Sequence, residues 1–113
     1  MSALVLIVGK DLCVSHVETV LADLTLGNYM CVDGPETADW LMRDGYDCGV
    51  LIVDRAMFAS CDAANDWIAA NPQAVPIVTD KCQTWSLTFL DQVKDAVELS
   101  RRFATETLPK GVH

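Results

Sequence analysis

Two stretches of this chain are apolar without interruption: ALVLIV at residues 3–8 and GVLIV at residues 49–53, the second closing on Asp54. A strand with one face in water alternates apolar and polar residues, so an unbroken run has to be covered on both faces. That demand selects a parallel sheet between two layers of helix, and the intervening segments carry the helical period it needs. In SHVETVLADL, Val17, Val20, Leu21 and Leu24 form a stripe, and Ser15 with Glu18 has the spacing of a capping box. YMCV (29–32) reads as a short strand. GPETADWLMRDG puts Pro35 at a helix start, with Ala38, Leu41 and Met42 on one face and Gly45 as the stop.

The strand CGVLIVD (48–54) is the most apolar of the set and is expected at the sheet centre. A helix over 62–72 ends at Asn71-Pro72, and VPIVT (75–79) forms another strand. A last helix from about Ser86 to Ala104 is expected to turn Leu87, Leu90, Val93, Val97 and Phe103 inward. Residues 105–113 have no periodicity and are expected to form a flexible tail after one domain over 1–104.

The chain of 113 residues is long enough for a single ordinary core, and its 51% hydrophobic and 21% charged residues are a globular balance. A net charge of −8 disfavours nucleic acid and anionic membrane surfaces, both of which need a basic face. No apolar run reaches the roughly 18 residues of a membrane span. MSALVLIVG has neither the basic start nor the cleavage site of a leader, so a cytoplasmic chain is expected. The five cysteines, Cys13, Cys31, Cys48, Cys61 and Cys82, form neither a disulfide framework nor a zinc pattern and are expected to be reduced.

The alternation of strand and helix implies right-handed crossovers and a crevice at the carboxyl ends of the strands. Gly9, Lys10, Asp11, Asp54 and Thr79 should meet there. This constellation resembles the receiver domain of two-component response regulators. Members of that family phosphorylate an aspartate at the tip of the third strand, within a D-x-x-M-P segment. Asp54 and Met57 match it, with Phe58 at the proline position, and Thr79 matches the hydroxyl residue that senses the phosphoryl group. The likeness covers residues 3–79 and resumes in the last helix.

The resemblance implies a flavodoxin-like three-layer α/β sandwich with a parallel sheet of four to five strands. Between Thr79 and the last helix, DKCQTWSLTF is too short for the family's fourth helix and fifth strand together, since a parallel crossover takes about a dozen residues. Those elements are expected to be shortened or missing, either leaving a strand stub in WSLTF or remodelling the segment altogether. The family's conserved-site lysine has no aligned counterpart here, and Lys81 is the nearest candidate.

Where the family ends its first strand on two acidic residues that hold Mg²⁺, this chain has Gly9 and Lys10, followed by Asp11. Unit charges about 4 Å apart interact by about 4 kcal/mol at an effective dielectric near 20. An ammonium against a divalent ion would oppose binding by about twice that, whereas a millimolar metal site is worth only about 4 kcal/mol. Mg²⁺ binding is therefore not expected, nor any other cofactor, and Lys10 is expected to pair with Asp54 instead. The pocket is read as Asp54, the phospho-acceptor position, with Lys10, Asp11, Thr79 and Lys81.

Several residues have competing readings. Cys13 follows the first strand, where phosphocarriers and small phosphatases keep a nucleophile, but it lacks their glycine-rich, basic surroundings. His16 is read as a surface residue, and the acidic run of Glu36, Asp39, Asp44 and Asp47 as a solvated face. Trp85 either covers the gap left by the missing helix or anchors an interface. Phe89 fits the core, and is the second interface candidate. The expected function is that of a non-enzymatic, stand-alone signalling protein acting through a partner, a histidine kinase or regulator, or a second copy of itself. The alternative is a regulator phosphorylated on Asp54 by a histidine kinase.

Overall fold

The computed structural model describes residues 4–25, 27–46 and 48–107, with side chains through Arg102. Four parallel strands, β1 (Leu4–Val8), β2 (Tyr29–Val32), β3 (Cys48–Asp54) and β4 (Val75–Thr79), lie in the order β2-β1-β3-β4. Four helices connect and cover them: α1 (Ser15–Thr25), α2 (Pro35–Arg43), α3 (Cys61–Ala69) and α4 (Leu87–Thr107). The arrangement is a flavodoxin-like three-layer sandwich, as the unbroken apolar runs require.

Every residue of β1 and β3 is buried. Their odd and even positions feed two separate cores. Val5, Ile7, Val50, Ile52 and Ile77 face a cluster completed by Val17 and Leu21 of α1 and by Phe89, Val93, Ala96 and Val97 of α4. Leu6, Val8, Leu51 and Val53 face a second cluster with Ala38 and Leu41 of α2, against which Phe58 and Trp67 of the α3 side pack. The strand pairing is in register along its length, except for an irregularity between Leu4 and Val5.

Local chemistry sets the helix ends. Pro35 occupies the first turn of α2, where a missing N–H costs nothing. Ser60 caps α3 by accepting from the Ala63 N–H at 3.1 Å, and Ser86 caps α4 by accepting from the Phe89 N–H at 3.1 Å. The expected capping box at Ser15 does not form. The Val14 carbonyl accepts from the N–H groups of Val17 and Glu18, so Ser15 is already inside α1.

Residues 80–86 connect β4 to α4. They hold a single 3-10 turn, Gln83–Trp85, so the first of the two alternatives, a strand stub in WSLTF, does not hold, its residues falling in that turn and at the start of α4. Leu87, expected to face inward, is 78% exposed, and Phe89 of the same turn enters the core instead, at 2% exposure. Helix α4 runs on to Thr107, beyond the expected start of the tail, while the Phe103 side chain and residues 108–113 lie outside the described residues. Among the described residues, no helix is long and apolar enough to cross a membrane.

Candidate functional site

The carboxyl ends of the strands bring Gly9, Asp54 and Thr79 together. Asp54 and Thr79 are register partners across β3 and β4, and each is 2% exposed. The Asp54 side chain turns back onto its own chain: Oδ1 accepts from the Ala56 N–H at 2.9 Å, capping the 3-10 turn Arg55–Met57. A short polar side chain at such a turn competes for backbone donors in this way.

Gly9 lies against the Asp54 side chain, and its backbone sits at φ +122°, in a region that disfavours side chains. A Cβ built there would lie 2.6 Å from Asp54 Cβ and 3.3 Å from both Asp54 Oδ2 and Met57 Cγ. The space that a second acidic side chain would need is filled by Asp54 and Met57. Met57 also reaches the second loop of the rim, its sulfur 3.8 Å from where a Cβ on Gly34 would be. Mg²⁺ needs a near-octahedral set of oxygens. The groups around Asp54 do not fit it: a glycine without room for a side chain, a thioether, and Lys10 and Asp11 on an exposed 3-10 turn. Among the described residues, no three His, Cys, Asp or Glu side chains converge as a metal site would require.

The expected Lys10–Asp54 ion pair is not formed. Lys10 is exposed, and the ion pair present among the described residues joins Arg55 to Asp80 at 4.0 Å. The positive φ of Gly9 accounts for this, because it turns the chain so that position 10 projects to solvent. Lys81 is likewise exposed and contributes its carbonyl, which accepts from Thr84 Oγ1 at 2.7 Å. Arg55 escaped the sequence reading, although it directly follows Asp54; no local signal ties it to Asp80.

Thr79 lines a cleft of about 430 Å³ with Val78, Gln83, Ser86, Phe89 and Gln92. Its hydroxyl lies 3.4 Å from the Gln83 side-chain oxygen, and thus faces the segment 80–86.

That segment carries an aromatic feature that the sequence did not announce. Trp85 is 71% exposed, and it stacks on His16 with ring centroids 3.5 Å apart and planes at 21°. Beneath the stack, His16 Nε2 and Thr84 Oγ1 are 3.0 Å apart. The Thr84 hydroxyl proton is committed to the Lys81 carbonyl, so His16 Nε2 is the donor. Trp85 therefore does not fill the core, and His16 is more than a surface residue. Phe89, by contrast, is 2% exposed and belongs to the core, which removes it as an interface residue.

Cys13 is half-buried, and burial followed by its contact with the Cys31 thiol pushes its pKa up, the opposite of an activated nucleophile. In the acidic run, Asp39 Oδ1 accepts from Trp67 Nε1–H at 3.0 Å and ties α2 to α3, so that residue is structural; Asp47 lies outside the described residues.

Compared with protein-family models, curated proteins and solved structures, the chain matches none of them.

Proposed function

We propose that this chain is a receiver-like signalling module that works by protein–protein contact, without Mg²⁺-dependent phosphorylation of Asp54. The observation that carries the reading is the closure around Asp54. A carboxylate stands at the tip of the central strand, in register with Thr79, yet it is buried and caps its own turn. The neighbouring strand tip has no room for the second carboxylate. The site has the frame of a phospho-acceptor pocket without the oxygens that would assemble an ion and a phosphoryl group in it.

Output then depends on surface. Strand β4 is one edge of the sheet, and a groove of about 280 Å³ runs between it and α4, with Val75, Pro76, Val78 and Leu99 in its wall. An open edge flanked by apolar side chains favours pairing with another chain, and Pro76 limits how far a strand could add there. A histidine kinase, a regulator or a second copy of this chain are the partners of this reading.

The test is incubation with acetyl phosphate and Mg²⁺, followed by intact-mass measurement on the wild type and on Asp54→Asn. No Asp54-dependent phosphoryl adduct is expected. An adduct that appears in the wild type and is lost in Asp54→Asn would replace this reading with that of a phosphorylated regulator. The register pairing of Asp54 with Thr79 is the observation that favours that second reading.

A further inference from the structure

Strand β4 closes one edge of the sheet and is bonded to β3 on one side only. Pro76 has no N–H, yet it sits inside an unbroken parallel register that runs from Val50↔Val75 to Asp54↔Thr79. Its missing donor therefore lies on the open side. Alternation along the strand then turns the N–H and C=O of Val78 to that same side. Val75 and Ile77 face the α1 and α4 layer, so the Pro76 and Val78 side chains lie on the other face of the sheet.

Two hollows of about 280 and 430 Å³ share Val78 and Gln92, and together they follow this edge from Val75 to Thr79. Helix α4 forms the opposite wall. Ala96 and the exposed Leu99 are its apolar part, and Asp95 is the charged residue of the lining. Asp91 and Glu98, both exposed, stand one turn to either side of Asp95, at the spacing that shares a helix face. Lys94 lies on the far side of that row, away from Gln92 and Leu99, and Arg102 follows one turn after Glu98. The groove thus has main-chain hydrogen-bonding groups along one wall and a carboxylate rim along the other.

We propose that this groove takes an extended segment of a partner protein in which basic and apolar residues alternate, added as a strand to β4. The main chain of the segment pairs with Val78. Its apolar side chains lie beside Pro76 and Val78, and its basic side chains lay their stems over Ala96 and Leu99 and bring their cations to Asp95. A second copy of this chain is a poor occupant, because each carries a net charge of −8 and would bring its own carboxylates to that rim. The proposal rests on the contact role above and names the partner's chemistry. It also fails separately from that role: acetyl phosphate reads Asp54 alone, so loss of peptide binding with no Asp54 adduct would remove the groove and leave contact through another surface.

The probe is a capped peptide of alternating valine and lysine, matched in length to the five residues of β4. It is titrated into the ¹⁵N-labelled full chain while amide shifts are followed. Saturable shifts are expected at Val78, Gln92, Asp95 and Leu99. A peptide with glutamate in place of lysine should bind about tenfold more weakly, since opposite and like charges across a strand pair differ in sign. A version N-methylated along its whole backbone should not bind. Asp95→Lys, at an exposed position, should reverse the preference between the lysine and glutamate peptides. The proposal is overturned if no saturable shift appears, if the shifts fall on the Trp85 face instead, or if the glutamate or N-methylated peptide binds as well. It is equally overturned if these resonances move on dilution of the chain alone, which would make a second copy the occupant.

Discussion

At Gly9 a single hydrogen atom decides the shape of the crevice. Replacing it with a methyl group forces a side chain into a positive-φ backbone and against Asp54 Cβ, 2.6 Å away. Strain of this kind and overpacking each cost on the order of 1–3 kcal/mol, so Gly9→Ala should destabilise by about 2–6 kcal/mol, read from the urea midpoint. Gly9→Asp should be no better tolerated, and should not create Mg²⁺ affinity in a calorimetric titration. Asp54 offers the complementary test. Asp54→Asn keeps an acceptor for the Ala56 N–H, whereas Asp54→Ala removes the cap and should cost about 1 kcal/mol more. Cys13 predicts a pH dependence. Its folded pKa is raised by burial, so the unfolded chain releases the proton first as pH climbs past the ordinary thiol value of about 8.5. The stabilisation is fully present below that value and falls above it. Cys13→Ser should lose less stability than the wild type between neutral and alkaline pH, measured by urea unfolding.

The elements are held at their ends by specific caps, and three serines separate pattern from contact. Ser60 and Ser86 accept backbone N–H groups at the starts of α3 and α4, so Ser60→Ala and Ser86→Ala should each cost about 1 kcal/mol. Ser15 has the better capping sequence but makes no such bond. Ser15→Ala should stay within about 0.5 kcal/mol of the wild type by the same denaturant assay. The difference arises because the 3-10 turn after β1 delivers the Val14 carbonyl to the helix start before Ser15 can act. Between β4 and α4 a short connection leaves Trp85 on the surface, held by the His16 ring and by the Thr84–His16 hydrogen bond. Aromatic pairs are worth about 0.5–1.5 kcal/mol beyond burial, and this one is largely in water. Trp85→Ala should therefore lower stability by less than about 1 kcal/mol, while any partner that uses this face should bind markedly worse.

Across the whole molecule, stability is concentrated in the two fully buried central strands. Amide exchange should be slowest in β1 and β3 and fastest in residues 80–86, whose backbone bonds are local and whose side chains are mostly exposed. The open β4 edge predicts concentration-dependent self-association in light scattering if a second copy is the partner; a strict monomer at high concentration would exclude that partner and leave a heterologous one.

What the sequence determined by itself was the architecture. An unbroken apolar run can be buried on both faces only in a covered parallel sheet, and the helical stripes between such runs fit no other layering. It also determined that Asp54, Thr79 and Gly9 would share one end of the sheet, because strand tips in this topology converge. The tertiary structure alone decided what those residues do to one another. The direction of Lys10 follows from the positive φ of Gly9, and the turned-in Asp54 carboxylate from a donor two residues along its own chain. The Trp85–His16 stack and the Trp67–Asp39 hydrogen bond join residues from separate elements. Periodicity reports which face of an element is buried. Backbone dihedrals at one turn, and the approach of one element to another, are settled only when the whole chain has packed.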